Sequence, residues 1–292
     1  MSTSSLVSIE DIILDKDRRG VSALRPYLPL HFCTQAAAFI LTYPGTAFIA
    51  TGFYILSAGS PETDGPPGAV ALGNALEALG FRVIYVSDRY CVPVLQGLAS
   101  PSAEVVDFPI APADESQKIA QDLLRRYQPS LLISTERCGL TRQGVYRNMR
   151  GVDITPYTAR LDYLFRSHSA TVGVGDGGNE IGMGKVAEVI PLIPSLPKDP
   201  AATPTTHLVI ASVSNWGCYG LVASLSLLTK RNLLPSPDEE MERIRYTVRL
   251  GAVDGISGLR EPSVDSFPLE ENGEVVAHLH WLLEARGVPR KG

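Results

Sequence analysis

The sequence predicts an α/β protein built on an open, mostly parallel sheet flanked by helices, and three observations carry that prediction. Short apolar runs of strand length recur between segments of helical periodicity. Several of those runs are apolar almost without a break, as expected where both faces of a parallel sheet are covered. Glycine and proline, 26 and 22 of the 292 residues, are slightly enriched and gather in a few loops.

In chain order, a helical lead-in is expected over 1–45, with helices near Val7–Arg19 and Leu30–Leu41. Strands follow at Thr46–Phe53, Phe81–Val86, Glu104–Phe108, Ser130–Ser134, Ala170–Val174 and His207–Ala211. Amphipathic segments between them read as helices at Ala69–Leu79, Ser116–Tyr127 and Tyr157–Phe165. Three more helices close the chain, at Gly217–Leu228, Asp238–Leu250 and Glu274–Ala285. Strand and helix alternating in this way give a Rossmann-like arrangement. The chain reads as one domain over 1–292: the lead-in, a core over 46–258, and a C-terminal helix within 259–292. Pro191 to Pro204 reads as a long loop inside it. In such sheets ligands sit beyond the C-terminal ends of the strands, so the site is expected there.

Composition narrows the function. A content of 45% hydrophobic and 20% charged residues excludes a disordered, collagenous or coiled-coil chain. A net charge of −5 and a pI near 5.6 argue against nucleic acid, which needs a cationic face. Two long uncharged stretches, Pro26–Pro61 and His207–Thr229, are broken by Pro44-Gly45 and Asn215-Trp216-Gly217, so no membrane span is expected. Cys33, Cys91, Cys138 and Cys218 form no C-x-x-C pair, and Glu10, Asp11 and Asp15 interrupt any signal peptide. A reducing, cytoplasmic setting is expected. Twenty Arg against six Lys suit a small anionic ligand, because the guanidinium fork matches carboxylates. A homo-oligomer is compatible with the sequence, which does not specify one.

Three loops after strands carry the chemistry. The first, Ser57 to Gly68, holds Glu62 and Asp64 between glycines and prolines and leads into a helix N-terminus. Taken alone, Asp64 reads as a turn cap and Glu62 as a solvated side chain. The second, Gly173 to Lys185, has six glycines in its first twelve residues, an entropic cost that a loop incurs where backbone approaches a ligand. It superficially resembles a dinucleotide fingerprint, but Asp176 and Glu180 would repel a pyrophosphate. The oxygens of Asp176, Asn179 and Glu180 suit a hard cation such as Mg²⁺, Mn²⁺ or Ca²⁺. The third runs from Ser134 through Glu136 to Arg150, with Arg137, Arg142, Arg147 and Arg150 as candidates for a carboxylate clamp. One or two are expected to bind ligand and the rest to pair with carboxylates such as Glu136 and Asp153.

Weaker signals are the polar mouth Ser212–Gly217 and the acidic glycine loop Gly251–Gly258. The five histidines lie outside these loops, and neither a G-x-S-x-G nor a P-loop motif is present.

Taken together, ETDGPPGA at 62–69, ER-x-G at 136–139, Y-x-N at 146–148, GVGDGGNEIGMGK at 173–185, SNWG at 214–217 and GISG at 255–258 resemble the D-glutamate cyclase family, C-terminal-domain type. The order and spacing agree over about Thr51 to Gly258. The resemblance implies an α/β fold and conversion of D-glutamate, a small acidic amino acid, to 5-oxo-D-proline and water. Larger members of that family carry a further N-terminal domain, for which this length leaves no room. The chemistry asks for an α-amine to attack a γ-carboxylate, a poor electrophile. A divalent cation on Asp64, Asp176, Asn179 and Glu180 would polarise that carboxyl. Glu136 or Glu62 would take the ammonium proton, with Asp176 as the third catalytic carboxylate. Arg137 or Arg150 would grip the α-carboxylate, and Asn148, Asn215 and Ser257 are further substrate-contact candidates. Two other readings use the same loops: a metal-dependent hydrolase of a small phosphorylated or acylated metabolite, and a non-enzymatic small-acid-binding module.

Overall fold

All six expected strands form, and they join in one parallel sheet. The computed structural model describes residues 7–290; positions 1–6 and 291–292 of the single-domain reading lie outside the described residues. The strands are β1 (Thr46–Thr51), β2 (Tyr54–Ile55), β3 (Ser60–Pro61), β4 (Arg82–Ser87), β5 (Glu104–Asp107), β6 (Leu131–Thr135), β7 (Thr171–Gly175), β8 (His207–Ile210), β9 (Ser263–Val264) and β10 (Phe267–Pro268). The helices are α1 (Ile9–Ile13), α2 (Phe32–Leu41), α3 (Pro66–Ala78), α4 (Val92–Leu98), α5 (Ala113–Tyr127), α6 (Asp162–Arg166), α7 (Ser214–Thr229), α8 (Pro237–Arg249) and α9 (Leu269–Ala285).

The main sheet runs β5-β4-β1-β6-β7-β8 with every pairing parallel. The chain builds outward from β1 through β4 and β5, then crosses to the other side through β6, β7 and β8. The order therefore reverses between β1 and β6, and a crevice opens beyond their C-terminal ends. Their last register pair is Thr51 with Thr135, so Gly52 and Glu136 leave the sheet side by side.

Alternation along the strands feeds two cores. Ala47 and Ile49 of β1, Val83 and Tyr85 of β4, and Leu131 and Ile133 of β6 pack into the core on the α2, α3 and α7 face. Phe48, Ala50, Ile84, Val86 and Leu132 point the other way, against Ala120 of α5 and Leu164 and Phe165 of α6. Burial on both faces explains why these strands read as unbroken apolar runs.

The differences from expectation are local. The Val7–Arg19 helix shortens to α1 because Lys16 turns left-handed (φ +58), after which Asp17 collects the amides of Arg19, Gly20 and Ser22. The Tyr157–Phe165 helix resolves into a 3-10 turn at Thr155–Tyr157 and the short α6. Helix α4 was not expected, since Pro93 and Gly97 mask it. Helix α7 begins at Ser214, which puts Asn215 in its first turn.

Candidate active site

The crevice between β1 and β6 continues into a cavity of about 300 Å³ with a carboxylate floor. Each loop contributes by a distinct backbone device. After β1, the β2–β3 hairpin carries Tyr54, Ile55 and Leu56 over the cavity, and Tyr54 stacks on Tyr157 with centroids 4.7 Å apart. The chain then descends beside the 253–258 loop through Thr63 N to Val253 O (2.8 Å) and Val253 N to Pro61 O (3.0 Å). That pairing presses Gly255 against the Glu62 carboxylate; a Cβ on Gly255 would meet Glu62 Oε2 at 2.1 Å.

Asp64 sits on the N-terminus of α7 and accepts from the Ser214 and Asn215 amides at 2.9 and 2.8 Å. The Asn215 side chain returns the contact, accepting from the Gly65 and Gly68 amides and donating to Thr63 O. The two helix N-termini interlock so closely that a Cβ at Gly68 would lie 2.7 Å from the Asn215 Cα. Glu136, left-handed at φ +42, accepts the Ser214 hydroxyl at 2.5 Å. Glu180 turns back into its own loop and accepts the amides of Asp176, Gly177 and Gly178 at 2.9, 2.5 and 2.7 Å.

Two residues that carried no sequence signal complete the floor. Arg19 reaches in from the lead-in, with 18% of its side chain exposed, and pairs with both Asp176 and Asp265. Asp265 lies between β9 and β10, in a turn whose two residues are both left-handed (Asp265 φ +52, Ser266 φ +61). The contacts to Arg19 are ionic: no oxygen of Asp176 or Asp265 receives an aligned hydrogen bond. The residue pattern Val264-Asp265-Ser266-Phe267, with apolar residues around a two-residue turn, was the available clue to this hairpin.

Crowding of acids sets the electrostatics. Burial, then the charges of Asp265 and Asp64, hold the Glu62 carboxyl well above its ordinary range. Burial and Asp265 lift Asp64 to about 7 against the pull of the α7 amides. Burial, with Glu180 and Glu62 nearby, raises Glu136. Burial raises Asp176 too, opposed by Arg19. A carboxyl lifted to about 7, as in Asp64, exchanges protons near neutral pH, which suits acid–base work. Asp254 behaves oppositely. Burial alone would raise it, but amides of Ser257, Ser266 and Ile256 and the Ser263 hydroxyl hold it below the usual value.

Comparison with known proteins identifies the family. The family model described as D-glutamate cyclase-like, C-terminal, matches residues 9–280. The chain belongs to this family. It is also 30% identical over 274 residues to the mitochondrial D-glutamate cyclase of Homo sapiens, an alignment covering 80% of this chain and 44% of that protein. The chain thus spans less than half the length of the curated relative it matches. No helix among the described residues is long and apolar enough to cross a membrane.

In this D-glutamate cyclase-like chain, the motif residues separate into two groups. Glu62, Glu136, Asn148, Arg150, Asp176 and Asn179 line the cavity. Arg137 does not: it is buried beneath the site, donating to Gly52 O, Asp88 and Ala159 O. Its guanidinium braces the β1, β4 and β6 ends, so the carboxylate clamp expected of it falls to other residues. Asn215 likewise spends its amide on α3, and Ser257 turns its hydroxyl to Glu261. Arg142 pairs with Glu188 and Arg147 with Asp199, rather than with Glu136 or Asp153. Asn148 Oδ1 accepts the amides of Arg150 and Val152 and shapes the rim. The expected metal set also divides. Asp64, Asp176 and Asp265 approach one another as one oxygen cluster, and Glu136, Asp176 and Glu180 as another. Asn179 directs its amide N–H to Arg147 O.

Proposed function

We propose that this chain cyclises D-glutamate to 5-oxo-D-proline with release of water. The observation that carries the reading is the pair Glu62 and Glu136: both line the cavity, and both have carboxyls pushed up first by burial and then by neighbouring acids. Two neighbouring buried carboxyls with different partners can divide into an acid and a base. Glu136 accepts the Ser214 hydroxyl, a bond that favours its ionised form, and serves as the base for the α-ammonium. Glu62 holds its proton and delivers it to the departing oxygen. Arg150 at the rim takes the α-carboxylate, and Arg19 balances the acid floor. Ring closure gains from proximity, since both reacting groups belong to one substrate.

The hard oxygens of Asp176 and Asp265, buried without hydrogen-bond donors, fit a divalent cation of the Mg²⁺, Mn²⁺ or Ca²⁺ type. Asp64, Asp176 and Asp265 would hold it, and it would supply Lewis-acid polarisation of the substrate carboxyl. Glu180 is already saturated by its loop amides.

The test is incubation of the purified chain with D- and L-glutamate, with and without Mn²⁺, following 5-oxoproline by chiral chromatography. Product from the D-enantiomer is expected; no product from either enantiomer overturns the reading. In the same assay Arg150→Lys should raise KM about tenfold, because an ammonium cannot reproduce the bidentate fork.

A further inference from the structure

The cavity has a second character that free glutamate does not use. Above the acid floor its wall is apolar: Phe53, Ile55 and Met149 lie within it, and Leu56, Val152 and Ile256 stand at its mouth. Those three mouth residues are 38%, 44% and 51% exposed, and all belong to one rim. Apolar side chains gathered at the entrance to a polar pocket mark a ligand with an apolar end. A volume of about 300 Å³ reaches the range of pockets that enclose drug-sized ligands, and glutamate would leave its upper part unfilled.

Charge is compatible with such a ligand. Asp64, Asp176 and Asp265 converge at the floor, with Arg19 paired to two of them. A neutral side-chain amide carbonyl adds no charge to that arrangement, and the α-ammonium meets Glu136 as in the cyclase reading.

We propose that the preferred substrates are γ-glutamyl amides of small apolar amines, with the alkyl group lying against Leu56, Val152 and Ile256. This rests on the cyclase reading above and keeps its acid and base. The α-amine nitrogen bonds to the side-chain carbonyl carbon, and the bond from that carbon to the amide nitrogen breaks. Both protons shed by the α-ammonium end on the departing amine, so the products are 5-oxoproline and an alkylammonium, with no other reactant consumed. The acid floor reaches the scissile bond, and the amine leaves through the apolar mouth.

The experiment compares D-glutamate with a series of γ-D-glutamyl amides from methylamide to butylamide, measuring 5-oxoproline and released amine by chromatography. The butylamide should exceed D-glutamate in kcat/KM by at least about tenfold. KM should fall about three- to fourfold for each added methylene that reaches the rim, the value of one buried CH₂. Turnover of D-glutamate without turnover of any amide overturns this inference and leaves the cyclase reading standing. Amide turnover with a KM that does not change along the series overturns the assignment of the apolar rim. If neither substrate class yields 5-oxoproline, the cyclase reading itself fails and takes this inference with it.

Discussion

The glycine loop after β7 and the turn between β9 and β10 each bring one carboxylate to Arg19, and they are built in opposite ways. In the loop, three successive amides converge on Glu180, so backbone freed by glycine is fixed again by one internal anion. In the turn, Asp265 and Ser266 take left-handed conformations without glycine, a cost of roughly 1–2 kcal/mol each. That cost is offset from outside: Asp254 accepts the Ser266 amide at 2.7 Å, and Arg18 lies 3.7 Å above the Phe267 ring. The first region positions its acid by local sequence, the second by distant partners.

The sharpest test of that contrast is Glu180→Gln. Losing the charge on which three buried amides converge should destabilise the chain by about 3–5 kcal/mol. Urea denaturation would show it; a loss under 1 kcal/mol would mean that the loop holds its shape unaided.

Asp176→Asn should lower kcat about a hundredfold, or about 2.7 kcal/mol of barrier, with little change in Tm. The side chain has no hydrogen-bond donor to lose, only its charge against Arg19. A variant with wild-type turnover would remove Asp176 from the site.

These two effects also mark what the sequence could reveal. The six strands were legible because burial on both faces writes itself as apolar runs. Asp176 stood out because six glycines flag a loop that approaches a ligand, whereas Glu62, Asp64 and Glu136 stood out only once their motifs were read together as a family resemblance. Arg19 and Asp265 did not, because neither has local punctuation of its own and their meeting depends on the packing of distant segments. Arg137 was misassigned for a related reason: spacing shows that an arginine follows a strand, but Asp88 and the carbonyls that claim it come from elsewhere in the chain.

The pH dependence separates the regions in sign. With Asp64 raised from 3.8 to about 7, the folded chain retains a proton that the unfolded chain has released across that window. Stability then falls as pH rises from about 4 to 7, by up to about 1.4 kcal/mol per unit for this group. Glu62, Glu136 and Asp176 act in the same direction. Asp254, held low, contributes stability that is lost as pH falls. The raised group is the larger, so the urea midpoint should be higher at pH 5.5 than at pH 8; the reverse order would show the floor folding with its acids ionised.

The smallest effect is expected at the turn. Ser266→Gly relieves one left-handed residue while keeping the amide that Asp254 accepts, and should raise stability by up to about 1 kcal/mol. No gain in Tm would mean that the serine suffers no strain there.

The bridge from Arg19 to Asp265 joins segments near opposite ends of the described sequence. During synthesis the arginine emerges 246 residues (265 − 19) before its second carboxylate. Until then Arg18 has no Phe267 beneath it, and Arg19 lacks its second partner, Asp265. Such a closure spans far more chain than the β1–β6 pairing, and its loop-closure entropy is correspondingly larger. The same contact that ties the lead-in to the final hairpin thus closes the cavity floor, and a chain ending before β9 would carry the motif loops without it.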